Sequence, residues 1–212
     1  MRTRVLAALI LPALLALSAC GSDESSDEPD ASASAGQCQY PSDGNPSKEG
    51  IEAPPAEPTS SDGLTIATNR GDIKVTFDAA NAPCTVNSFV SLAEQGYFDD
   101  TKCHRVVPNF VLQCGDPTAT GTGGPGYSFA DELSGDETYP AGTLAMANAG
   151  PDTNGSQFFI VLEGGEQALT PDYTVFGKVD AAGLKVAEAI AKDGTGPDGV
   201  APAKDVVIES VS

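Results

Sequence analysis

The sequence predicts a mainly β fold: an antiparallel sheet closed into a barrel and accompanied by two helices. Three observations carry this expectation. Short apolar segments separated by Gly and Pro turns recur through residues 64–212, two stretches alone carry apolar residues at helical spacing, and the first two segments alternate with period two around a turn. Many short strands leave many edges, and closing the sheet on itself removes them.

Leu64–Thr68 and Ile73–Phe77 alternate around Asn69-Arg70-Gly71-Asp72, which is a hairpin signature. The embedded Arg-Gly-Asp needs no adhesion partner, because a glycine-containing turn accounts for it. Ala82-Pro83 opens a helix with proline in its first turn, where the missing N–H costs nothing. Val86, Phe89, Val90 and Ala93 give it one apolar face, and Gly96 stops it. Further strands are expected at Gly142–Met146, Gln157–Leu162, Thr174–Val179 and Val206–Val211. A second helix is expected at Ala181–Lys192, with Leu184, Ala187, Ile190 and Ala191 inward and Gly194 beyond its end.

The ends of the chain divide it into three. Arg2 and Arg4 precede the apolar run Val5–Leu17, which falls short of the ~20 residues that span a bilayer and fits a signal-peptide core. Leu17-Ser18-Ala19-Cys20 resembles a bacterial lipobox, so residues 1–19 are expected to be removed and Cys20 lipidated. Removal of Arg2 and Arg4 would take the formal charge from −19 to −21. Such a chain will not seek nucleic acid, whose binding depends on Lys and Arg, nor adhere electrostatically to anionic lipid. Membrane association is expected through acyl chains alone. Residues 20–63 are acidic and proline-rich, with too little apolar surface to offset ordering, and read as a tether with a reach of roughly 35–40 Å. Cys38-Gln39-Tyr40-Pro41 interrupts that pattern as a candidate docked patch, and pairing of Cys38 would staple the end of the tether to the domain and shorten its reach.

Residues 64–212 are enough for one domain with a substantial core. Cys38, Cys84, Cys103 and Cys114 form an even set suited to disulfides in an oxidising compartment, and their pairing is open at this stage. A single histidine and the lack of a Cys-x-x-Cys spacing argue against a zinc site. Gly121-Thr122-Gly123-Gly124-Pro125-Gly126 lacks the Lys-Ser/Thr that a phosphate cradle requires.

Two stretches carry the chemistry: Cys103-His104-Arg105-Val106-Val107-Pro108-Asn109-Phe110-Val111-Leu112-Gln113, and Met146-Ala147-Asn148-Ala149-Gly150 leading to Asn154-Gly155-Ser156-Gln157-Phe158-Phe159. They combine a fixed cation, apolar groups and amides, with no nucleophile or acid–base pair. That mixture suits a reaction in which no covalent bond is made or broken. Taken singly, each has a bland reading as strand, turn or core.

Their order is more specific. Ala-Pro-x-Thr-Val-x-x-Phe, His-Arg-Val-Val-Pro-x-Phe, Gln-x-Gly-Asp, Gly-Thr-Gly-Gly, Met-Ala-Asn-Ala-Gly, Asn-Gly-Ser-Gln-Phe-Phe and Val-Phe-Gly-Lys-Val follow one another between Ala82 and Val179. In this, residues 64–212 resemble the cyclophilins, peptidyl-prolyl cis–trans isomerases. The resemblance implies an eight-stranded antiparallel β-barrel capped by two α-helices, and an enzyme that accelerates rotation about X–Pro bonds. An alternative of a different class is a proline-peptide-binding or chaperone lipoprotein with little isomerase activity.

The resemblance implies roles residue by residue. Arg105 would be the catalytic cation, with Phe110 and Gln113 completing the catalytic set. Phe110, Val111, Phe159 and Leu169 would line the proline pocket, Gln113 would position Arg105, and the Asn148 backbone would pair with the peptide. Ala147, Ala149 and Gln157 would flank the groove, and His104 would be structural. The chain departs from the family pattern at Val111, where Met is usual, at Ala168, where Trp or Phe is common, at Tyr173, where His is usual, and at Cys114, where Gly is usual. Weak binding of cyclosporin-type drugs is therefore expected. No metal or other cofactor is implied. The expected partners are proline-containing peptides and proteins folding outside the cytoplasm, met by a monomer that is lipid-anchored to the cell membrane.

Overall fold

In the computed structural model, residues 36–59 and 61–212 are described, all within one unit spanning Ser34–Ser212. The expected signal peptide, Cys20 and the acidic run that follows lie outside the described residues.

Strands β1 (Gly63–Thr68) and β2 (Gly71–Phe77) form the expected hairpin, paired through Ile66 and Ile73. Its turn is tight: Thr68 Oγ1 accepts the Arg70 N–H at 3.0 Å, and Gly71 takes φ 126°, a conformation that favours glycine. Arg70 pairs with Asp193 at 2.6 Å, so the Arg-Gly-Asp arginine serves the fold.

Helix α1 (Pro83–Glu94) has no side-chain cap of its own. Its free N–H groups are met instead by the Glu132 carboxylate, which accepts from Cys84 at 2.9 Å and Thr85 at 2.8 Å. An anion there satisfies unpaired donors and matches the positive end of the helix dipole. Phe89 of α1 lies at the centre of the aromatic core, 4.9 Å from Phe98, and 5.3 Å from both Phe158 and Phe176, centroid to centroid.

Strands β3 (Thr101–Lys102), β4 (Arg105–Val107), β5 (Val111–Cys114), β6 (Thr143–Met146), β7 (Phe158–Val161) and β8 (Val175–Val179) follow. Then come helix α2 (Ala181–Lys192) and β9 (Val207–Val211). Asp180 caps α2 by accepting from Gly183 N at 2.7 Å. Gly183 is buried in that turn, and Leu184 packs, partly buried, against the main core. A Cβ on Gly183 would meet Ile73 at 2.9 Å, so glycine lets the helix lie close on β2.

The expected closed eight-stranded barrel is corrected in both count and closure. Among the described residues the sheet has nine strands in the order β3-β9-β1-β2-β8-β6-β7-β5-β4, all paired antiparallel, and no ladder joins β3 to β4. The physical reason is local: both edges come from one stretch of chain, broken by Cys103-His104 into pieces of two and three residues. The sheet curls and stops short of closing.

Alternation sorts the side chains onto two faces. Ile66, Ile73, Leu112, Leu144, Phe158 and Ile160 join residues of both helices in the main core. Val111, Ala145, Phe159 and Val161 point the other way and gather a second apolar cluster. Both faces of β7 are covered, which is why Phe-Phe-Ile-Val reads as a continuous apolar run.

Over residues 36–59 the segment takes the docked form that pairing of Cys38 was expected to bring. Cys38 is disulfide-bonded to Cys84 in the first turn of α1. The Tyr40 ring stands edge-on to Tyr127 and Phe129, each 5.5 Å away, and its hydroxyl donates to the Cys84 carbonyl at 2.7 Å. Ser42 forms an isolated antiparallel bridge with Tyr127. The segment is a docked strap, for which two anchors, Cys38 and Tyr40, outweigh a composition that otherwise favours disorder.

Candidate active site

Strands β4 and β5 form a hairpin whose turn places Pro108 second and Asn109 third, with φ 61° at Asn109 and a Phe110 N–H to Val107 O bond of 3.0 Å. Proline followed by a positive φ is the type II arrangement, and asparagine tolerates it better than most residues. The register then sets Arg105 opposite Gln113, Gln113 opposite Phe159, and Phe159 opposite Ala145. Four strands thus present one row of side chains on the face away from the main core.

Along that row runs a hydrogen-bonded relay. Arg105 Nη1 donates to Gln113 Oε1 at 3.2 Å, and Gln113 Nε2 donates to Gln157 Oε1 at 3.0 Å. Gln157 Nε2 in turn donates to the carbonyls of Gly121 and Gly123, at 3.0 and 2.9 Å. Each amide has its oxygen turned towards the arginine, so the guanidinium is held from one side. Among the described residues Arg105 makes no ion pair, and its guanidinium carbon lies 5.8 Å from the centre of the Phe110 ring.

The glycine loop at the far end of the relay is organised by Asp116, which is fully buried. Its carboxylate accepts from the N–H groups of Thr118, Gly121 and Gly123, at 2.7, 2.7 and 3.1 Å. Burial alone would raise its pKa, but these donors and the Thr118 hydroxyl outweigh it and hold the group below the ordinary carboxylate value. A Cβ on Gly123 would fall 2.0 Å from Asp116 Oδ1, so only glycine fits there.

Beside Arg105 lies the apolar patch. Phe110, Val111, Ala147, Phe159, Leu169 and Tyr173 come together there. The Tyr173 ring meets Phe159 edge-on at 5.4 Å and forms a wall of the patch. Sequence reasoning missed Tyr139, Ala145, Val161 and Val175 in the same cluster. Tyr139 fixes Tyr173: its hydroxyl donates to the Tyr173 carbonyl at 3.0 Å and accepts the Tyr173 N–H at 3.1 Å. No periodic signal marks Tyr139, but Val161 and Val175 lie in segments that the pattern already assigned to strands.

Next to the patch is a groove of about 530 Å³ bordered by Gln113, Gln157 and Ala147-Asn148-Ala149. The Asn148 side chain is tied down, donating from Nδ2 to the Asp172 carbonyl at 2.9 Å. Its own backbone N–H and C=O have no partner among the described residues, which leaves them free to pair with an extended peptide. Ala168, next in sequence to Leu169, is exposed.

His104 is buried and neither ring nitrogen has a partner among the described residues. Burial pushes its pKa below the usual value, with the neighbouring Arg105 charge acting in the same direction and Asp116 opposing it. The Cys103–Cys114 disulfide crosses the base of the hairpin, just before His104-Arg105 and just after Gln113, and resolves, with Cys38–Cys84, the pairing that was open in the sequence.

Comparison with known proteins covers the same domain. Residues 63–212 match the family model described as cyclophilin type peptidyl-prolyl cis-trans isomerase/CLD. The chain is 46% identical over 195 residues to a probable peptidyl-prolyl cis-trans isomerase B of Mycobacterium leprae, covering 82% of this chain and 65% of that one. It thus spans just under two thirds of that relative's length. A peptidyl-prolyl cis-trans isomerase B of Streptomyces anulatus is 47% identical over 165 residues, or 69% of this chain and 93% of that one. Among solved structures, a Cryptosporidium parvum cyclophilin-type isomerase in the presence of the dipeptide Ala-Pro superposes with TM-score 0.63 at 34% identity. That likeness covers 70% of this chain and 96% of the other.

Proposed function

The chain belongs to the cyclophilin-type peptidyl-prolyl cis–trans isomerase family, and on that premise we propose that it accelerates X–Pro rotation by aiming Arg105 at the prolyl nitrogen. A peptide bond resists rotation because nitrogen lone-pair donation gives C–N double-bond character, a barrier of ~18–20 kcal/mol. X–Pro bonds populate both isomers but exchange in tens to hundreds of seconds. Halfway round, conjugation is lost and the lone pair is localised on a pyramidal nitrogen. A donor aimed at that nitrogen binds the twisted state better than either planar state, which is what acceleration requires.

The observation that carries this reading is the relay itself. Gln113, braced by Gln157, holds Arg105 from one side, beside the apolar patch. Guanidinium stays charged at every relevant pH and offers fixed donors. The patch would hold the ring while the preceding carbonyl swings, and the open Asn148 backbone would hold the chain. The Cryptosporidium parvum structure in the presence of Ala-Pro supports a proline ligand for this site. The test is a protease-coupled isomerisation assay on an Ala-Pro-Phe peptide with the full chain lacking residues 1–20. A clear rise over the uncatalysed rate is expected; peptide binding without any rise would favour a chaperone-like module instead.

The setting is part of the same proposal. Arg2, Arg4, the run Val5–Leu17 and Cys20 support a signal peptide and a lipidated cysteine, with the domain outside the cytoplasm acting on proteins that fold there. Two disulfides among the described residues suit an oxidising compartment. Metabolic labelling with palmitate is expected to mark the wild-type chain and to vanish in Cys20→Ala. Labelling that persists in the variant would remove the anchor from the proposal.

A further inference from the structure

One residue that lines the groove lies outside the stretch that the family model matches. The family-model match starts at residue 63, whereas Asp43, on the strap, lines the groove together with Gln157 and Ala147-Asn148-Ala149. Asp43 is the sole carboxylate among the lining residues, and no Lys or Arg lines the groove to neutralise it.

Its placement is fixed rather than incidental. Asp43 N donates to the Gly126 carbonyl at 3.0 Å, and Ser128 N donates to the Pro41 carbonyl at 3.1 Å. Ser47 both donates from its N–H to the Gly124 carbonyl and accepts the Gly124 N–H on Oγ, each at 2.9 Å. The strap therefore runs along Gly124–Ser128 as an added rail, stapled upstream by Cys38–Cys84. Asp43 Oδ1 accepts the Asn45 N–H at 2.9 Å, which orients the carboxylate and leaves Oδ2 without a partner among the described residues.

Resting on the isomerase reading above, we propose that Asp43 makes this groove a subsite for a basic side chain of the substrate, Lys or Arg, two or three residues from the proline. The spacing follows from the shared border. Ala147 belongs to both the apolar patch and the groove, and Ala149 lies in the groove two residues further on. A peptide extended along Asn148 advances about 3.3 Å per residue, so its second or third side chain from the proline reaches the groove. The arginine row and the acidic wall would then read a proline and a cation together.

The test compares otherwise identical proline peptides carrying Lys, Ala or Glu at each position up to three residues either side of the proline. Both kcat/KM and affinity, by fluorescence anisotropy, are measured on wild type and Asp43→Asn. Asparagine keeps the Oδ1 acceptor for Asn45, so the strap's turn survives the change. At one of these positions Lys is expected to be favoured over Ala by about two- to fivefold, the size of a solvent-facing charge pair. The preference should fall towards one in Asp43→Asn and in about 0.5 M salt, where such pairs are screened. No preference at any position in wild type, or one that Asp43→Asn retains, overturns the assignment. Absence of turnover on every peptide would instead count against isomerisation, and the affinity ratios would still decide the role of Asp43.

Discussion

Arg105→Ala is expected to lower kcat/KM on an Ala-Pro-Phe peptide by at least roughly tenfold, with the domain still folded. A hydrogen bond from a charged donor contributes about 1.5–3 kcal/mol net, and each 1.36 kcal/mol is tenfold in rate, which sets a range of about ten- to a hundredfold. Because the bond is made only to the twisted imide, the loss should fall mainly on kcat rather than KM. Stability should change little. Arg105 is half-buried on an edge strand, with a single hydrogen bond and one ring contact to lose. Arg105→Lys should recover little, since an ammonium cannot hold the Gln113 oxygen and reach the imide with the same fixed fork. A protease-coupled assay together with a circular-dichroism melt checks both halves, and undiminished kcat in a folded Arg105→Ala protein would end the case for the guanidinium.

The largest expected change in stability comes from opening the strap. Replacing Cys38 and Cys84 together by serine removes a cross-link that spans 46 residues of sequence. Closing a loop of that length lowers the entropy of the unfolded chain by an amount worth about 4 kcal/mol at 25 °C. For a domain of this size that corresponds to a fall in Tm of roughly 8–16 °C. The native side loses as well, since Tyr40 would no longer be pinned between α1 and the Tyr127–Phe129 pair. Thermal melts of the double variant, oxidised at Cys103–Cys114, measure the effect. An unchanged Tm would mean that the strap's hydrogen bonds hold it unaided.

What the sequence disclosed, and what it withheld, divides by range. Helix α2 was legible to the residue, Ala181–Lys192, and α1 nearly so, because apolar spacing, Pro83 and Gly96 are local signals. The strands at β1, β2, β6, β7, β8 and β9 were legible to within a residue or two for the same reason. Strands β3 and β4 carry too few residues for any period to show, so the ninth strand and the unclosed ladder were not legible. The ordered motifs, through their likeness to a family, brought forward Arg105, Phe110, Val111, Gln113 and Phe159 as a group, and the register sets Arg105, Gln113 and Phe159 in one row. Tyr139 and Asp43 were missed because their meaning depends on distant partners, Tyr173 in one case and Gly126 in the other. The docking of Cys38 and Tyr40 was legible as one option, through the break that Cys38-Gln39-Tyr40-Pro41 makes in the low-complexity pattern, but its partner was not, because a proline-rich acidic composition does not name Cys84.

The seam between β3 and β4 has a consequence for how one molecule meets another. Val106 N donates to the Val200 carbonyl at 2.9 Å and Cys103 N to the Val206 carbonyl at 3.0 Å, so the stretch leading into β9 occupies the gap. Neither rim of the sheet is left as a long row of bare amides, the template on which chains stack edge to edge into fibrils. A cross-β seed on either rim would first require the stretch before β9 to be pulled out of the gap.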